Sequence, residues 1–228
     1  MKYVGSKRRY IKEILPLILS NREKGQYYVE PFVGGFNVME HVNGNRIAAD
    51  IHKYLIALYK AIQDGWIPPE EISEKLYRDL KDYPEKYPPQ LVGFAGFGAS
   101  FSGKWFGGYA RGEERDYVKE SRDNLLTQAP KLKGVLMVCC QYHQLQIPPN
   151  SIIYCDPPYE STLKYFTPHF ISSHFWMWCR KLRENGHTVF VSEYNAPDDF
   201  ECIWENRTLT HVCVNSKKNC VERLWIPR

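Results

Sequence analysis

The sequence SIIYCDPPYEST (residues 151–162) places a carboxylate, two prolines and a tyrosine directly after a short apolar segment. Such a segment, bounded by turn residues, predicts a buried parallel strand. Ligands bind at the carboxyl ends of the strands in open α/β sheets, which is where Asp156, Pro157, Pro158 and Tyr159 would lie. These four residues are therefore the first candidates for chemistry.

The carboxylate and the two prolines offer hydrogen-bond acceptors without a competing donor. Proline has a fixed φ and no N–H but keeps its C=O, so Pro157 and Pro158 would hold carbonyl oxygens rigidly beside the Asp156 carboxylate. This arrangement suits an exocyclic amino group, which brings two N–H donors. The ring of Tyr159 adds a flat face, and base–aromatic stacking is worth roughly 1–3 kcal/mol. The segment predicts a site for an amino-bearing base, with a strand-ending turn capped by Asp156 as the alternative.

A second candidate site lies near the N-terminus, in VEPFVGGFNV. Its glycines fall between a predicted strand and a predicted helix, where they let a ligand approach the backbone closely. Asp50 ends the next strand, 16 residues after Gly34, and an acid there is placed to accept hydrogen bonds from ribose hydroxyls. The G-x-G-x-x-G and P-loop patterns do not occur, which disfavours NAD and ATP. A nucleoside cofactor site and a purely structural turn both remain open.

The elements around these motifs predict an α/β sheet interrupted by an insertion. A helix capped by Ser6 and shortened or kinked by Pro16 precedes a βαβ unit. Prolines, glycines and aromatics are frequent in residues 65–130, and this composition predicts a loop-rich segment. Strands return afterwards in VLMVCC, SIIYC, TVFVSEY, LTHVCV and RLWI, with one helix closed by Gly186. We expect a sheet domain from residues 1–64 and 131–228, with residues 65–130 inserted.

Composition narrows the class of protein. The 228 residues are 43% hydrophobic, and no run of 18 apolar residues predicts a membrane helix. The N-terminal segment is basic and then apolar, but Lys12, Glu13 and Pro16 interrupt it, so we interpret it as mature protein. Seven scattered cysteines without a C-x-x-C pair disfavour a metal site and favour free thiols in a reducing cytoplasm. The net charge of +4 is weak evidence for a polyanionic partner.

Several motifs in order resemble the Dam-type, D12 class, α-ordered DNA adenine N6-methyltransferases of bacteria and bacteriophages. They are KYVGSK, VEPFVGG, AADIHKYLIALY, SFSGKWFGGYAR, DPPY, VFVSEYNAPDDF and ERLWI. The resemblance implies a Rossmann-like, S-adenosylmethionine-dependent methyltransferase sheet whose insertion, residues 65–130, is the target-recognition domain. It also implies base flipping in double-stranded DNA, a cytoplasmic protein and a monomer or weak dimer, with no membrane or metal partner.

The resemblance also implies roles for individual residues. The carboxylate of Asp156 and the carbonyl of Pro157 would accept from the target N6 amino group, in a catalytic motif completed by Pro158 and Tyr159. Tyr159 would stack on the flipped base. The cofactor-binding residues would be Tyr3, Lys7, Pro31, Phe32, Gly34, Asp50 and Asp156. The candidate DNA-binding residues are Arg8, Lys104, Arg111 and Arg115.

Two positions depart from the family pattern. Phe36 stands where the family has a glycine, so its ring would either crowd the cofactor or reshape the turn. Gln141 stands where an acid is expected before Tyr142, which weakens any contact to the cofactor's adenine. The alternatives are therefore a catalytically impaired, methyltransferase-like DNA-binding protein and an enzyme acting on an RNA base. Cytosine-specific relatives more often carry Ser in place of Asp156, and glutamine-specific ones carry Asn, so Asp156 favours adenine.

Overall fold

The computed structural model describes residues 1, 3–112, 115–159, 170–213 and 216–228. In chain order, the helices and strands are a 3-10 helix (Lys7–Tyr10), α1 (Ile11–Ile18), β1 (Tyr28–Glu30), a 3-10 helix (Met39–His41), β2 (Arg46–Asp50), α2 (Lys53–Gln63), α3 (Glu74–Asp82), a 3-10 helix (Pro84–Lys86), α4 (Pro89–Gly93), a π-helical turn (Phe94–Gly98), a 3-10 helix (Phe101–Gly103), α5 (Tyr117–Gln128), a 3-10 helix (Ala129–Leu132), β3 (Val135–Cys139), a 3-10 helix (Tyr142–Gln144), β4 (Ile152–Cys155), α6 (Ser172–Glu184), β5 (Thr188–Glu193), β6 (Phe200–Cys213) and β7 (Ser216–Pro227). The seven strands form one mixed sheet.

The chain folds into two compact units, and the first consists of residues 1–11 and 33–145. Within it, β2 and β3 pair in parallel, with Arg46 opposite Val135 and Asp50 opposite Cys139. The helix α2 begins after His52, whose Nδ1 accepts the N–H of Leu55 at 3.3 Å. One face of α2 is buried. The inserted residues 65–130 belong entirely to this unit and contribute α3, α4 and α5.

The second unit consists of residues 12–32 and 146–228 and holds five strands in the order β1-β4-β5-β7-β6. The strands β1, β4 and β5 are parallel, and Tyr28 lies opposite Ile152. The last two strands run antiparallel, and Ser192 of β5 lies opposite Leu224 of β7. All four residues of β4 are buried, and parallel strands flank it on both sides. The strand that precedes the D-P-P-Y motif is therefore the buried parallel strand that the sequence predicts.

The predicted fold class, a Rossmann-like α/β sheet, is confirmed. Two details differ from the sequence-based expectations. The strand predicted at LTHVCV begins much earlier, at Phe200, because β6 pairs with β7 from Phe200 opposite Pro227 onwards; its last predicted residue, Val214, lies outside the described residues. The glycine–aromatic segment is also more ordered than a loop, since α4 continues into the π-helical turn and Ser100 bridges to Tyr109.

None of the helices in the described ranges combines the length and the apolar character that crossing a bilayer requires. Five cysteines have described side chains and all are free thiols: Cys139, Cys140, Cys155, Cys179 and Cys202. Within the same ranges, no three His, Cys, Asp or Glu side chains are grouped so as to hold a metal ion.

Candidate active site

The D-P-P-Y motif leaves the sheet at the carboxyl end of β4, in the second unit. The side chain of Tyr159 turns back into the unit, where only 8% of the residue is exposed. Its hydroxyl donates to Oε2 of Glu222 at 2.8 Å. Its ring packs edge-to-face on the ring of Tyr194, with 4.6 Å between the centroids and 85° between the planes. Tyr159 is therefore held by two residues that lie far from it in the sequence.

Burial raises the pKa of Tyr159 well above its ordinary value, and the negative charges of Asp156 and Glu222 raise it further. The phenol therefore stays protonated at neutral pH and remains a hydrogen-bond donor to the carboxylate of Glu222. Glu222 and Tyr194 are functional candidates that the sequence alone does not reveal. The available signals are the acid of the ERLWI motif and the tyrosine of the VFVSEY strand, but neither indicates a contact with Tyr159.

Glu30 is a second buried acid in the same unit, at the end of β1 and 3% exposed. The hydroxyl of Tyr28 donates to its Oε1 at 2.8 Å. Burial raises the pKa of Glu30 to about 8, the Tyr28 hydrogen bond opposes that rise, and the charge of Asp156 adds to it. Glu30 is thus mainly a neutral carboxylic acid at pH 7, so it does not place a second negative charge beside Asp156. The sequence offers a signal for this residue, since Glu30 is the acid of the VEPF motif.

Pro31 and Phe32 follow Glu30 directly. Pro31 is buried. The ring of Phe32 packs edge-to-face on Phe175 at 5.7 Å and on Phe170 at 6.1 Å. These contacts fix the chain where it leaves β1 toward the glycine turn.

The glycine turn, Gly34 and Gly35, belongs to the first unit and lies against Tyr3. Gly34 has a φ of +49°, in the left-handed region that favours glycine. A Cβ at Gly34 would come within 2.7 Å of Cε1 of Tyr3, and one at Gly35 within 2.6 Å of Nδ2 of Asn37. The two glycines therefore let the side chain of Tyr3 pack directly on the backbone of the turn.

Asp50 secures this turn from the end of β2. Its Oδ2 accepts the N–H of Gly34 at 3.1 Å and its Oδ1 accepts the N–H of His52 at 2.9 Å. Burial raises the pKa of Asp50, although these N–H groups and that of Ile51 lower it. The two carboxylate oxygens have about four lone-pair sites in all, so three N–H donors leave one for a further donor such as a ribose hydroxyl. In the same unit the buried Lys7 donates from Nζ to the carbonyl of Gly5 at 3.1 Å.

The two departures from the family pattern have structural roles of their own. Phe36 is fully buried with a φ of +59°, and its ring packs on Tyr59 with 4.1 Å between centroids. The hydroxyl of Tyr59 donates to the carbonyl of Gly35 at 2.8 Å. Phe36 therefore reshapes the turn by anchoring it to the core, and its ring does not lie on the surface of the turn. Gln141 caps the 3-10 helix Tyr142–Gln144 through reciprocal hydrogen bonds with Gln144.

A cavity of about 530 Å³ opens in the first unit. Its walls include Tyr3, Arg8, Phe97, Arg115, Tyr117 and Asn124. Two of the four predicted DNA-binding residues, Arg8 and Arg115, thus meet at one cavity. Lys104 and Arg111 do not line it. Arg115 binds Glu120 with two hydrogen bonds of 2.7 and 2.9 Å, and Arg111 pairs with Glu74, so these two guanidinium groups already have carboxylate partners.

The N-terminal part of the chain is similar to a known family. Residues 3–94 match the sequence profile of the family described as D12 class N6 adenine-specific DNA methyltransferase. The resemblance predicted from the sequence motifs is confirmed over this part, which includes Tyr3, Lys7, the glycine turn and Asp50.

The chain is also similar to the Type II methyltransferase M.FokI of Planomicrobium okeanokoites, with 25% identity over 188 residues. That match covers 70% of this chain and 28% of the relative, so this chain spans little more than a quarter of the longer protein. Among solved structures, a putative methyltransferase yhhF from Escherichia coli matches with 11% identity and a TM-score of 0.41, over 100% of this chain and 90% of that one. SMU.472, a putative methyltransferase complexed with SAH, matches with 11% identity and a TM-score of 0.38, over 99% and 53% of the two chains.

Proposed function

We propose that this chain transfers a methyl group from S-adenosylmethionine to the N6 amino group of adenine in double-stranded DNA. The observation that carries the proposal is the D-P-P-Y motif at the carboxyl end of the buried strand β4. The match of residues 3–94 to the D12 class supports it. The packing of Phe36 into the core supports an active enzyme over a catalytically impaired DNA-binding protein.

The D-P-P-Y residues prepare the amino group for attack. The N6 lone pair of adenine is normally delocalised into the ring. Acceptance of both N6 hydrogens by the Asp156 carboxylate and the Pro157 carbonyl favours a pyramidal nitrogen with an available lone pair. Rotation of the base out of the duplex costs a few kcal/mol, and stacking on Tyr159 offsets part of that cost.

The residues around the glycine turn fit an S-adenosyl nucleoside. Gly34 lets Tyr3 pack on the turn, and Asp50 keeps an acceptor site for a ribose hydroxyl. Tyr3, Lys7, Pro31 and Phe32 are proposed to complete the binding residues. When bound, the cofactor supplies an electrophilic methyl group on a sulfonium. Holding the acceptor nitrogen in line with this methyl contributes several kcal/mol through proximity.

Phosphate contacts are proposed for Arg8, Lys104, Arg111 and Arg115. Among these four residues, Arg8 is exposed and forms no ion pair with the described residues, whereas Arg111 and Arg115 already pair with carboxylates. Each neutralised phosphate steepens the fall of log affinity with log salt concentration.

The test is expression of the chain in a bacterial host that lacks adenine methylation, followed by sequencing of genomic DNA for N6-methyladenine. We expect methylated adenines in one short sequence context, and none with Asp156→Ala. The purified Asp156→Ala protein should still bind S-adenosylmethionine in calorimetry. Soluble wild-type protein that leaves the DNA unmethylated would overturn the proposal, and assays of DNA binding and of RNA methylation would then separate the two alternatives.

A further inference from the structure

The contacts of Tyr159 come from the antiparallel part of the second unit. Glu222 lies on β7, and Tyr194 follows the end of β5. Because Glu193 of β5 is paired with Arg223 of β7, the strand register brings residues 222 and 194 to the same end of the strand pair. Two residues that are 28 positions apart thereby contact one ring that is encoded much earlier in the chain.

The strand β7 also fixes the backbone that carries Tyr194. The guanidinium of Arg223 donates to the carbonyl oxygen of Tyr194. The indole N–H of Trp225 donates to the carbonyl oxygen of Glu193 at 3.0 Å. One strand therefore supplies the acceptor for the Tyr159 hydroxyl and also holds the aromatic residue on which the Tyr159 ring packs.

A hydroxyl bound to a carboxylate restricts a ring more strongly than packing alone. Hydrogen bonds to charged groups are roughly twice as strong as neutral ones. The bond from Tyr159 to Glu222 fixes the far end of the ring, and the edge-to-face contact with Tyr194 fixes its tilt. Without these two contacts, ordering the ring would reduce the favourable free energy of stacking each time that a base binds.

We propose that Glu222 is a positioning residue for methyl transfer, because its carboxylate holds the Tyr159 hydroxyl and so presets the ring for the target base. This inference rests on the proposed function. Glu222 does not touch the reacting atoms in this scheme. It acts through Tyr159, and its loss should lower the rate of the bound complex more than the affinity for the cofactor.

The test uses the purified full chain and a duplex that contains the methylated sequence found in the host. Glu222→Ala should lower kcat about ten- to a hundredfold, the loss expected for one charge-assisted hydrogen bond. The KM for S-adenosylmethionine should stay within about twofold, since Glu222 contacts the tyrosine and not the cofactor. Glu222→Gln should recover most of the rate, because the amide oxygen still accepts a hydrogen bond.

Tyr159→Phe removes the other partner of the same bond. It should lower kcat about as much as Glu222→Ala, and the double variant should be no slower than either single variant, because one interaction is lost only once. The matched control is Glu201→Ala, which removes an exposed carboxylate from β6, opposite Ile226 of β7. This control should retain wild-type kcat.

The outcomes separate the two proposals. A wild-type protein without methyl transfer would overturn both. An active wild type with fully additive effects of Glu222→Ala and Tyr159→Phe would overturn the positioning role alone, as would Glu222→Gln as slow as Glu222→Ala in a protein that melts normally. If Glu222→Ala fails to fold, Glu222→Gln and Tyr159→Phe still decide the question through kcat.

Discussion

Tyr28 donates its hydroxyl to Glu30, two residues further along the same buried strand, at 2.8 Å. The two side chains share one face of the sheet, because alternate residues of a strand point the same way. Burial raises the pKa of Glu30 to about 8 despite this hydrogen bond, and Asp156 adds to the rise. A neutral carboxylic acid therefore lies near the motif that is proposed to bind the amino group.

Glu30 should make the stability of the protein depend on pH. Its pKa is about 8 in the folded chain and near 4.5 in the unfolded chain, so the unfolded state binds fewer protons between these values. The free energy of unfolding should therefore fall as pH rises from 4.5 through 8, by at most about 1.4 kcal/mol per pH unit from this group. Urea unfolding between pH 6 and pH 9 measures the slope. Glu30→Gln should flatten it, whereas an unchanged slope in that variant would contradict the assignment.

Phe36 should be a stability residue rather than an obstacle to the cofactor. Its ring is fully buried against Tyr59, so Phe36→Ala should cost about 3–5 kcal/mol of unfolding free energy. Phe36→Gly restores the glycine of the family pattern and tolerates the φ of +59°, but it leaves the same cavity. Denaturant unfolding and calorimetry with S-adenosylmethionine test both variants. A Phe36→Gly protein that is as stable as wild type and binds the cofactor more tightly would show the lesion interpretation to be right.

A side chain at Gly34 should displace Tyr3 and weaken cofactor binding. The added Cβ would lie 2.7 Å from Cε1 of Tyr3, and φ of +49° adds backbone strain of about 1 kcal/mol. We expect Gly34→Ala to lower the affinity for S-adenosylmethionine about tenfold or more, with Tyr3→Ala as the companion variant. If the clash is the cause, the double variant should bind more tightly than the sum of the single losses predicts. Strictly additive losses of affinity in calorimetric titrations would show that the clash with Tyr3 is not the cause.

Arg8 and Arg111 should respond differently in DNA binding. Arg111 pairs with Glu74, whereas Arg8 is exposed without an ion pair among the described residues. Arg8→Ala should therefore lower the slope of log affinity against log salt concentration by about 0.9, the value for one phosphate contact. Arg111→Ala should change it less, because DNA must compete with Glu74. Fluorescence anisotropy with a labelled duplex at several salt concentrations measures both slopes, and a larger change for Arg111→Ala would reverse this assignment.

The sequence by itself determined the features that depend on neighbours along the chain. A short apolar segment followed by D-P-P-Y predicted a buried strand that ends at Asp156, because strand burial and proline geometry are local properties. The glycine turn and Asp50 could also be identified from the sequence, because both lie within one predicted βαβ unit. In the structure, the carboxylate of Asp50 accepts a hydrogen bond from the N–H of Gly34. These motifs also predicted the D12 class.

Only the tertiary structure decided which partners distant residues find. Phe36 looked like a residue at the ligand surface, but the packing of Tyr59 places its ring in the core. Tyr159 and Glu222 are 63 residues apart, and only the register of β7 against β5 brings the carboxylate to the hydroxyl. The tertiary structure also decided the ion pairs, since Arg111 pairs with Glu74, which is 37 residues away in the sequence. Side-chain direction and long-range pairing follow from how the strands and helices pack together, which no local pattern of residues encodes.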